Sequence, residues 1–413
     1  MSALNPLTHD DLLTACAPGG GTTLSVVTPL RPAGGVGAVI APARVVDGNE
    51  SVYAYERRME PDPETGEPVA VWTVVIDAKQ SVSNRDEDAI ASARAEDGAP
   101  EGEALRRVPV LRVTYGDEEW TDLTLPHRAY DGHIRSATLN GTPVTQTDEY
   151  RAIRDASKLN GRALLDAAPT SLVLGAWDST RKSHQARFQT CLTGEVIGVL
   201  ADQDSSHTPR TNRRAAGRVD PVAASVRPDQ KTVTGLVEEQ SGELSDKLQA
   251  KILAEAKKKG AAGSSMSTLG LGHVPPMLEG LGGVACRSIT RRRVLSFSAL
   301  RQLRFGGTSE ADISIRALLA AYGLLGMALS DRELHLRANC DLTEAGRPEV
   351  TLDKRYGEEE KLAPITVETA LDIFHAALAH AEKTADVKWD GQTLDLVGNP
   401  GILGSASADE PEA

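Results

Sequence analysis

The sequence predicts an α+β fold, in which clusters of strands are joined to a few helices without regular βα alternation. Short runs rich in Val, Thr and Tyr recur along the chain, and Gly, Pro and Asn separate them. Two segments in the C-terminal half carry apolar residues at helical spacing. No fixed-period repeat is visible in the sequence, which argues against a solenoid.

The N-terminal part predicts one short helix followed by strands. Thr8 is positioned to cap the helix, and Pro18 ends it. Residues 80–105 are polar throughout and suit a core poorly, so we expect a surface insertion there. The dipeptide Asn140-Gly141 is a strong hairpin signal. The strand-like runs are TTLSVVTPL, GAVIAPARVV, SVYAYERRM and VAVWTVVID.

The second half of the chain predicts the longer helices. SLVLGAW is expected to be a buried strand, and GEVIGVLA a strand or a helix. Residues 241–260 predict a helix whose last turn holds Lys257 to Lys259, where cations suit the helix dipole at least as well as nucleic acid. The segments ADISIRALLAAYGLLGMALSD and ITVETALDIFHAALAHAEKTA predict a buried and an amphipathic helix. The acidic tail, 401–413, has the composition of a disordered segment.

Composition indicates a globular protein. The 413 residues are 40% hydrophobic, only 4% aromatic, and carry a formal net charge of -13. The four cysteines lie far apart, without zinc-ligand spacing, and are interpreted as reduced, buried thiols. The N-terminus lacks the pattern of a signal peptide, and no apolar run reaches the roughly 18 residues of a membrane span. We therefore expect a cytoplasmic protein without a metal or other cofactor.

Two arginine-rich stretches stand out in this acidic chain. Residues 286–307 contain six arginines, and residues 205–219, expected to be a loop, contain four, with no aspartate or glutamate in either. We call residues 205–219 the first island and residues 286–307 the second island. Such a concentration fits binding of a phosphate backbone, because guanidinium groups stay charged and offer a fixed fork of donors. Each island taken alone could equally be solvated surface.

Other candidate chemistry is weaker. An acid/base pair of Asp178 with His184 or His207 has no nucleophile elbow beside it, so a turn capped by Asp178 is favoured. His375 and His380 are one position off the spacing that shares a metal. The glycines of GLGHVPP form no nucleotide-binding motif, although they could approach phosphate. No aromatic ribonucleoprotein strand motif is present, which indicates sequence-independent backbone binding.

Several segments, in order, resemble one family. They are SLVLGAWDST, GEVIGVLA, GRVDP, GLGHVPP, LSFSALRQLRF, LAAYGLLGMAL and LRANCDL, which together span residues 171–342. This combination resembles the RAMP-type backbone subunit of CRISPR Cascade complexes of subtype I-G, formerly I-U. The loop GLGHVPP resembles the GHG-type loop of that family, but Leu271 stands between its glycines and His273 is displaced.

The resemblance implies a modified RRM-like (ferredoxin-like) palm over residues 1–400, with inserted finger and thumb elements. Residues 205–235 are our expectation for the thumb. Such subunits are non-catalytic and stack head-to-tail along CRISPR RNA. They present the guide for pairing with target DNA in antiviral defence. The implied partners are CRISPR RNA, copies of the chain itself, and the large and guide-end-binding subunits of the complex.

Carried onto this sequence, the resemblance makes the islands candidate RNA-binding surfaces. Arg301 and Arg304 would share a face if LSFSALRQLRF is helical, and would face opposite sides if it is a strand. Lys182 and Arg187 are weaker candidates, and His133 and Arg135 are weaker still. The island candidates are Arg210, Arg213, Arg214, Arg218, Arg291, Arg292, Arg293, Arg301 and Arg304.

Two alternatives remain open at this point. Related backbone subunits of type III complexes cut RNA with a loop aspartate, for which Asp204, Asp220 or Asp229 could serve here. The arginines could instead bind an acidic protein partner. RNA of defined length copurifying with the chain would argue against the second alternative.

Overall fold

A computed structural model describes residues 4–48, 50–62, 64–178, 185–203, 214–216, 229–259, 269, 277–279 and 282–403. Two short 3-10 segments lie at Arg128–Tyr130 and Val144–Gln146. The α-helices of these residues are α1 His9–Cys16, α2 Lys79–Ala95, α3 Pro100–Arg106, α4 Gly132–Arg135, α5 Asp148–Arg154, α6 Arg162–Ala167, α7 Thr170–Val173, α8 Gln230–Glu239, α9 Asp246–Lys259, α10 Phe297–Leu300, α11 Ser309–Glu333, α12 Val367–Ala385 and α13 Pro400–Leu403.

Strands are more numerous and mostly short. They are β1 Thr23–Pro32, β2 Arg44–Asp47, β3 Glu50–Tyr53, β4 Tyr55–Pro61, β5 Pro68–Asp77, β6 Val110–Tyr115, β7 Glu118–Thr121, β8 Thr138–Leu139, β9 Thr142–Pro143, β10 Ala176–Trp177, β11 Arg187–Phe188, β12 Leu192–Leu200, β13 Arg214–Ala216, β14 Met277–Glu279, β15 Cys286–Ser296, β16 Leu342–Glu344, β17 Glu349–Asp353, β18 Glu359–Leu362 and β19 Thr393–Val397.

The main sheet has the order β18-β17-β1-β15-β12-β5-β4, with β16 also paired to β1. Its central strands β17, β1, β15 and β12 are antiparallel neighbours. Together with α2 and α11 they follow one another in the chain as β1, α2, β12, β15, α11 and β17. This is the β-α-β-β-α-β order of a ferredoxin-like fold. The predicted α+β class is confirmed, and the sheet is consistent with an RRM-like palm.

Helix α11 is the centre of the core. Thr308 caps its first turn by accepting a hydrogen bond from the backbone NH of Ala311, and Leu334 ends it in the left-handed region. It packs against α2 and α12, and 94% of its most apolar window is buried in the protein. The helix is long and apolar enough to cross a membrane, but its burial is that of a core helix. The predicted buried helix is therefore confirmed.

Residues 80–105 differ from the expected surface insertion. They form most of α2 and most of α3, and α2 packs against α11 and β12. The sequence looks polar because the buried face of α2 itself carries charged side chains. Asp86 and Glu87 are both buried and meet arginines from other elements. Burial patterns based on apolar spacing cannot find such a face.

A second sheet has the order β7-β6-β19-β8-β9. Asn140 and Gly141 join β8 to β9, and both have positive φ, as the predicted hairpin requires. The strand β19 near the C-terminus pairs in parallel with β6. Trp389 is fully buried just before β19 and donates from Nε1 to the carbonyl of Leu165 at 3.0 Å. This sheet shares the hydrophobic core of the main sheet.

The predictions for two shorter segments and for the cysteines had different outcomes. SLVLGAW is buried except for Trp177; its first three residues, Ser171 to Val173, belong to α7 rather than to a strand, and only Ala176 and Trp177 pair as β10. GEVIGVLA belongs to strand β12. The cysteines are free, and Cys286 alone is half-buried while the other three are buried.

Chain contacts divide the protein into two units. The first comprises residues 1–210 and 283–399, and the second comprises residues 211–282 and 400–413. In the second unit α8 and α9 pack through Val233, Val237, Ile252 and Ala256. The helix expected within residues 241–260 is α9, and Asp229 caps α8. The proposed thumb at residues 205–235 falls partly outside the described residues and stays a prediction, as does the disordered tail.

Candidate nucleic-acid interface

The second island lies mainly on β15, a central strand of the main sheet. Because successive side chains of a strand point to opposite faces, the three consecutive arginines are divided between the two faces. Arg291 and Arg293 are buried on the face that α2 and α11 cover, together with Ile289 and Leu295. Arg292 lies on the other face. The island is therefore not one continuous basic surface.

Arg293 is the centre of a buried ion-pair network. It is 3% exposed, and its guanidinium nitrogens lie 3.1 Å from Asp86 Oδ1 and 2.6 Å from Asp331 Oδ1. It also donates to Ser330 Oγ at 3.2 Å. Burial alone would lower the pKa of Arg293, but the carboxylates of Asp86 and Asp331 outweigh it and raise that pKa. Burial, together with the charge of Asp331, raises the pKa of Asp86 to about 6, while Arg293 opposes this rise.

Gly194 makes the close approach of Arg293 possible. It lies opposite Arg293 in the β12–β15 register. A Cβ at Gly194 would lie 2.6 Å from Cδ of Arg293 and 2.7 Å from Cγ1 of Val82 on α2. The missing side chain leaves room for the guanidinium between the sheet and the helix.

Arg291 is also committed to carboxylates of this chain. It is 4% exposed and lies 3.1 Å from Glu344 on β16 and 3.3 Å from Asp331 on α11. Arg291 and Arg293 thus fasten α2, α11 and β16 to the sheet. Sequence reasoning missed this structural role because the partners are distant in the chain. The predicted guide contact of these two arginines stays a prediction, and in this conformation neither guanidinium lies at the surface.

Arg292 belongs to a mixed charge network on the face opposite the helices. Its side chain is 39% exposed and lies 3.0 Å from Glu60. Nearby Arg58 binds Glu195 at 2.5 Å, and this carboxylate, with burial opposing it, raises the pKa of Arg58. Glu195 stands directly opposite Arg292 in the register. Of the three consecutive arginines, Arg292 is the one with surface left for an external ligand.

The end of the second island is neither a long helix nor a strand. Arg301 follows the single turn of α10 and donates to the carbonyls of Ala15 and Gly21, the second at 2.8 Å. Arg304 is 49% exposed and donates to the carbonyl of Arg301 at 2.6 Å. Arg301 therefore fastens the segment after α1, while Arg304 keeps exposed surface.

The first island falls largely outside the described residues, where Arg210, Arg213, Arg218 and Lys182 also lie. Arg214 begins β13, whose backbone pairs with β14 so that Arg214 stands opposite Glu279. A short strand is thus present where a loop was expected. The role of these five basic residues, Arg210, Arg213, Arg214, Arg218 and Lys182, in binding RNA stays a prediction.

Arg187 lies on an exposed strand pair that sequence reasoning had not connected with aromatic stacking. It stands opposite Trp177 in the β10–β11 register, and its guanidinium carbon lies 4.9 Å from the centroid of the indole. Asp178 is buried, and its Oδ1 lies 3.7 Å from Arg135. Asp178 is thus an ion-pair partner of Arg135. The turn that it was expected to cap continues into residues outside the described part of the chain, so that interpretation stays a prediction. The positions His184 and His207 lie outside the described residues.

The weaker histidine candidates are packed against other groups. The hydroxyl of Tyr115 lies 2.7 Å from Nδ1 of His133, whose ring centroid lies 4.7 Å from that of Trp120. His380 lies against His9, with 5.2 Å between the ring centroids. Among the residues that the structure describes, no group of three or more His, Cys, Asp or Glu side chains could hold a metal ion.

Of the aspartates considered for RNA cleavage, Asp229 is described. It is the N-cap of α8 and accepts from the backbone NH of Thr232 at 2.8 Å. Hydrogen bonding from the side chain and then the backbone of Thr232 lowers the pKa of Asp229. Asp204 and Asp220 lie outside the described residues, as does His273. The geometry at Asp229 is that of ordinary helix capping.

A protein-family model matches part of the chain. The family model described as CRISPR-associated protein GSU0053 matches residues 24–203, which include all of β1 but its first residue and the whole of β5, α2 and β12. No curated protein matches the chain. The match supports a role in CRISPR defence. Over these residues the chain is similar to the GSU0053 family of CRISPR-associated proteins, a RAMP-type family of subtype I-U or I-G, in line with the resemblance seen in its sequence.

Proposed function

We propose that this chain is a non-catalytic backbone subunit that polymerises along CRISPR RNA in a Cascade complex and presents the guide to target DNA. The observation that carries the proposal is the family match over residues 24–203, which falls on strands and a helix of an RRM-like palm. A sheet of this topology is a recurrent RNA-binding scaffold.

The charge distribution of the chain supports this proposal. The net charge of -13 disfavours indiscriminate attraction to nucleic acid, while the arginine islands concentrate cations locally. We assign the guide contacts to the first island and to the second-island arginines that keep exposed surface, Arg292 and Arg304. The buried Arg291 and Arg293 hold the helices on the sheet from which those contacts are presented.

Head-to-tail stacking explains how one chain can serve a long guide. A heterologous contact, in which different surfaces of two copies meet, repeats without closing and so generates a helical assembly. The partners in the proposed complex are CRISPR RNA, further copies of this chain, a large subunit and guide-end-binding subunits. We place this assembly in the cytoplasm, where the guide is made.

Coexpression tests the proposal. The chain is expressed with its neighbouring CRISPR genes and a CRISPR array, purified through a tag, and the bound RNA is sequenced. We expect discrete CRISPR RNA in a large assembly. A monomer free of nucleic acid, with the other subunits present, would contradict the proposal and would favour an acidic protein as the partner of the islands.

A further inference from the structure

One tryptophan of this chain is open to solvent. Of the four, Trp389 is buried, Trp72 and Trp120 are half-buried, and Trp177 is 56% exposed. A single exposed apolar side chain needs no explanation by itself. Trp177, however, lies beside the cation of Arg187, and buried neighbouring residues hold it in place. Both features bear on what could bind to it.

The strand pair β10–β11 presents Trp177 and Arg187 side by side. The two residues are direct cross-strand partners, and the guanidinium carbon of Arg187 lies 4.9 Å from the indole centroid. More than half of the tryptophan surface stays exposed even with Arg187 in contact. A flat group approaching the pair would therefore meet an aromatic surface and a fixed positive charge together.

The neighbours of the pair hold it in place. Ala176, Asp178, Ala186 and Phe188 are all buried, so the strands alternate between an anchored face and the face that bears the pair. Just before β10, the carbonyl of Gly175 accepts from Arg128 at 2.8 Å, and Arg128 also binds the buried Glu87 on α2. These contacts connect the strand pair β10–β11 to helix α2.

We propose that Trp177 and Arg187 form a stacking site for an unpaired nucleobase of single-stranded RNA. The proposal rests on the proposed function, in which the chain holds a guide RNA. Every base has an aromatic face, so stacking on an indole tolerates any sequence, and arginine adds a cation–π contribution and an attraction to phosphate. Such a site suits a guide whose sequence varies.

A second aromatic–arginine pair provides a matched control. Tyr356 is 99% exposed, and Arg355 lies 5.8 Å from its ring centroid. These two residues are adjacent in a turn where both have positive φ, and the residues on either side of them, Lys354 and Gly357, are exposed. The pair therefore combines an aromatic ring with a guanidinium, as Trp177 and Arg187 do, but without the anchored strand ladder.

The test titrates the purified full chain and its variants into a labelled, unstructured single-stranded RNA at several salt concentrations. Trp177→Ala should weaken binding about five- to hundredfold, as expected for one lost base stack, with an unchanged salt dependence. Trp177→Phe should recover most of the affinity. Arg187→Gln should weaken binding less and reduce the salt slope by about 0.7. Tyr356→Ala should bind like the unchanged chain.

The outcomes separate this inference from the proposed function. If the unchanged chain binds no RNA, alone or in its complex, both proposals fail. If it binds RNA and Trp177→Ala binds equally well, or if Tyr356→Ala loses as much, the stacking site alone is wrong. If Trp177→Ala binds RNA normally but no longer assembles with the other subunits, the stacking site is also wrong, because Trp177 would then contact protein. Thermal melting checks that each variant is folded.

Discussion

Replacing Arg293 by methionine should lower the free energy of unfolding by about 3–5 kcal/mol, because it leaves Asp86 and Asp331 without their buried cation. Methionine keeps most of the side-chain length, so the loss reports the uncompensated charges more than a cavity. Denaturant unfolding of the purified chain measures the change. Arg293→Lys keeps the positive charge but not the fork of donors, so its free energy of unfolding should fall by less. This variant still measures the effect if Arg293→Met does not fold.

The neighbouring residue is the matched control. Arg292→Met changes the same residue type on the same strand, but this side chain is 39% exposed and pairs with a partly exposed Glu60. The free energy of unfolding of Arg292→Met should fall by less than about 1 kcal/mol. Equal losses at the two positions would contradict the division of the arginines between the two faces of β15. Adding Asp86→Asn and Asp331→Asn to Arg293→Met should recover part of the lost stability.

Changing the four arginines of the first island, Arg210, Arg213, Arg214 and Arg218, to glutamine should have the largest effect on RNA affinity. If each binds one phosphate of single-stranded RNA, the slope of log affinity against log salt should fall by about 3. The loss should be similar for guides of different sequence, because backbone contacts carry no sequence information. Filter binding at several salt concentrations measures both quantities.

An equal charge change elsewhere controls for net charge. Four arginines that are ion-paired to nearby carboxylates serve this purpose, and changing them to glutamine should leave the salt slope nearly unchanged. They are Arg107, Arg112, Arg151 and Arg154. If both quadruple variants lose the same affinity, the first island has no special role in binding RNA.

The parts of the fold that were predictable from sequence are those with a local signal. The apolar spacing of α11 and α12 and the Asn140-Gly141 turn each identify their element from adjacent residues. Helix α2 was missed because its buried face holds Asp86 and Glu87, whose partners Arg293 and Arg128 come from elsewhere in the chain. The charged residues of α2 were interpreted as exposed, because charged side chains are rarely buried unless they are paired. Their ion-pair partners become visible only in the folded structure.

The candidate site shows the same limit. The run Arg291 to Arg293 suggested a basic surface, yet strand alternation alone requires that neighbouring side chains face opposite sides. The choice between strand and helix was left open for the following segment LSFSALRQLRF, and no adjacent residue shows which of Arg291 to Arg293 would be buried. Trp177 was missed because its partner Arg187 becomes its neighbour only through the β10–β11 pairing.

The central claim is that copies of this chain stack along a guide RNA, and counting the copies tests it most directly. Complexes are assembled on CRISPR arrays whose spacers differ in length, and native mass spectrometry gives the number of copies in each. The account predicts that the number rises in steps as the spacer lengthens, because each copy covers a fixed length of RNA. A copy number that stays constant while the guide lengthens would contradict it.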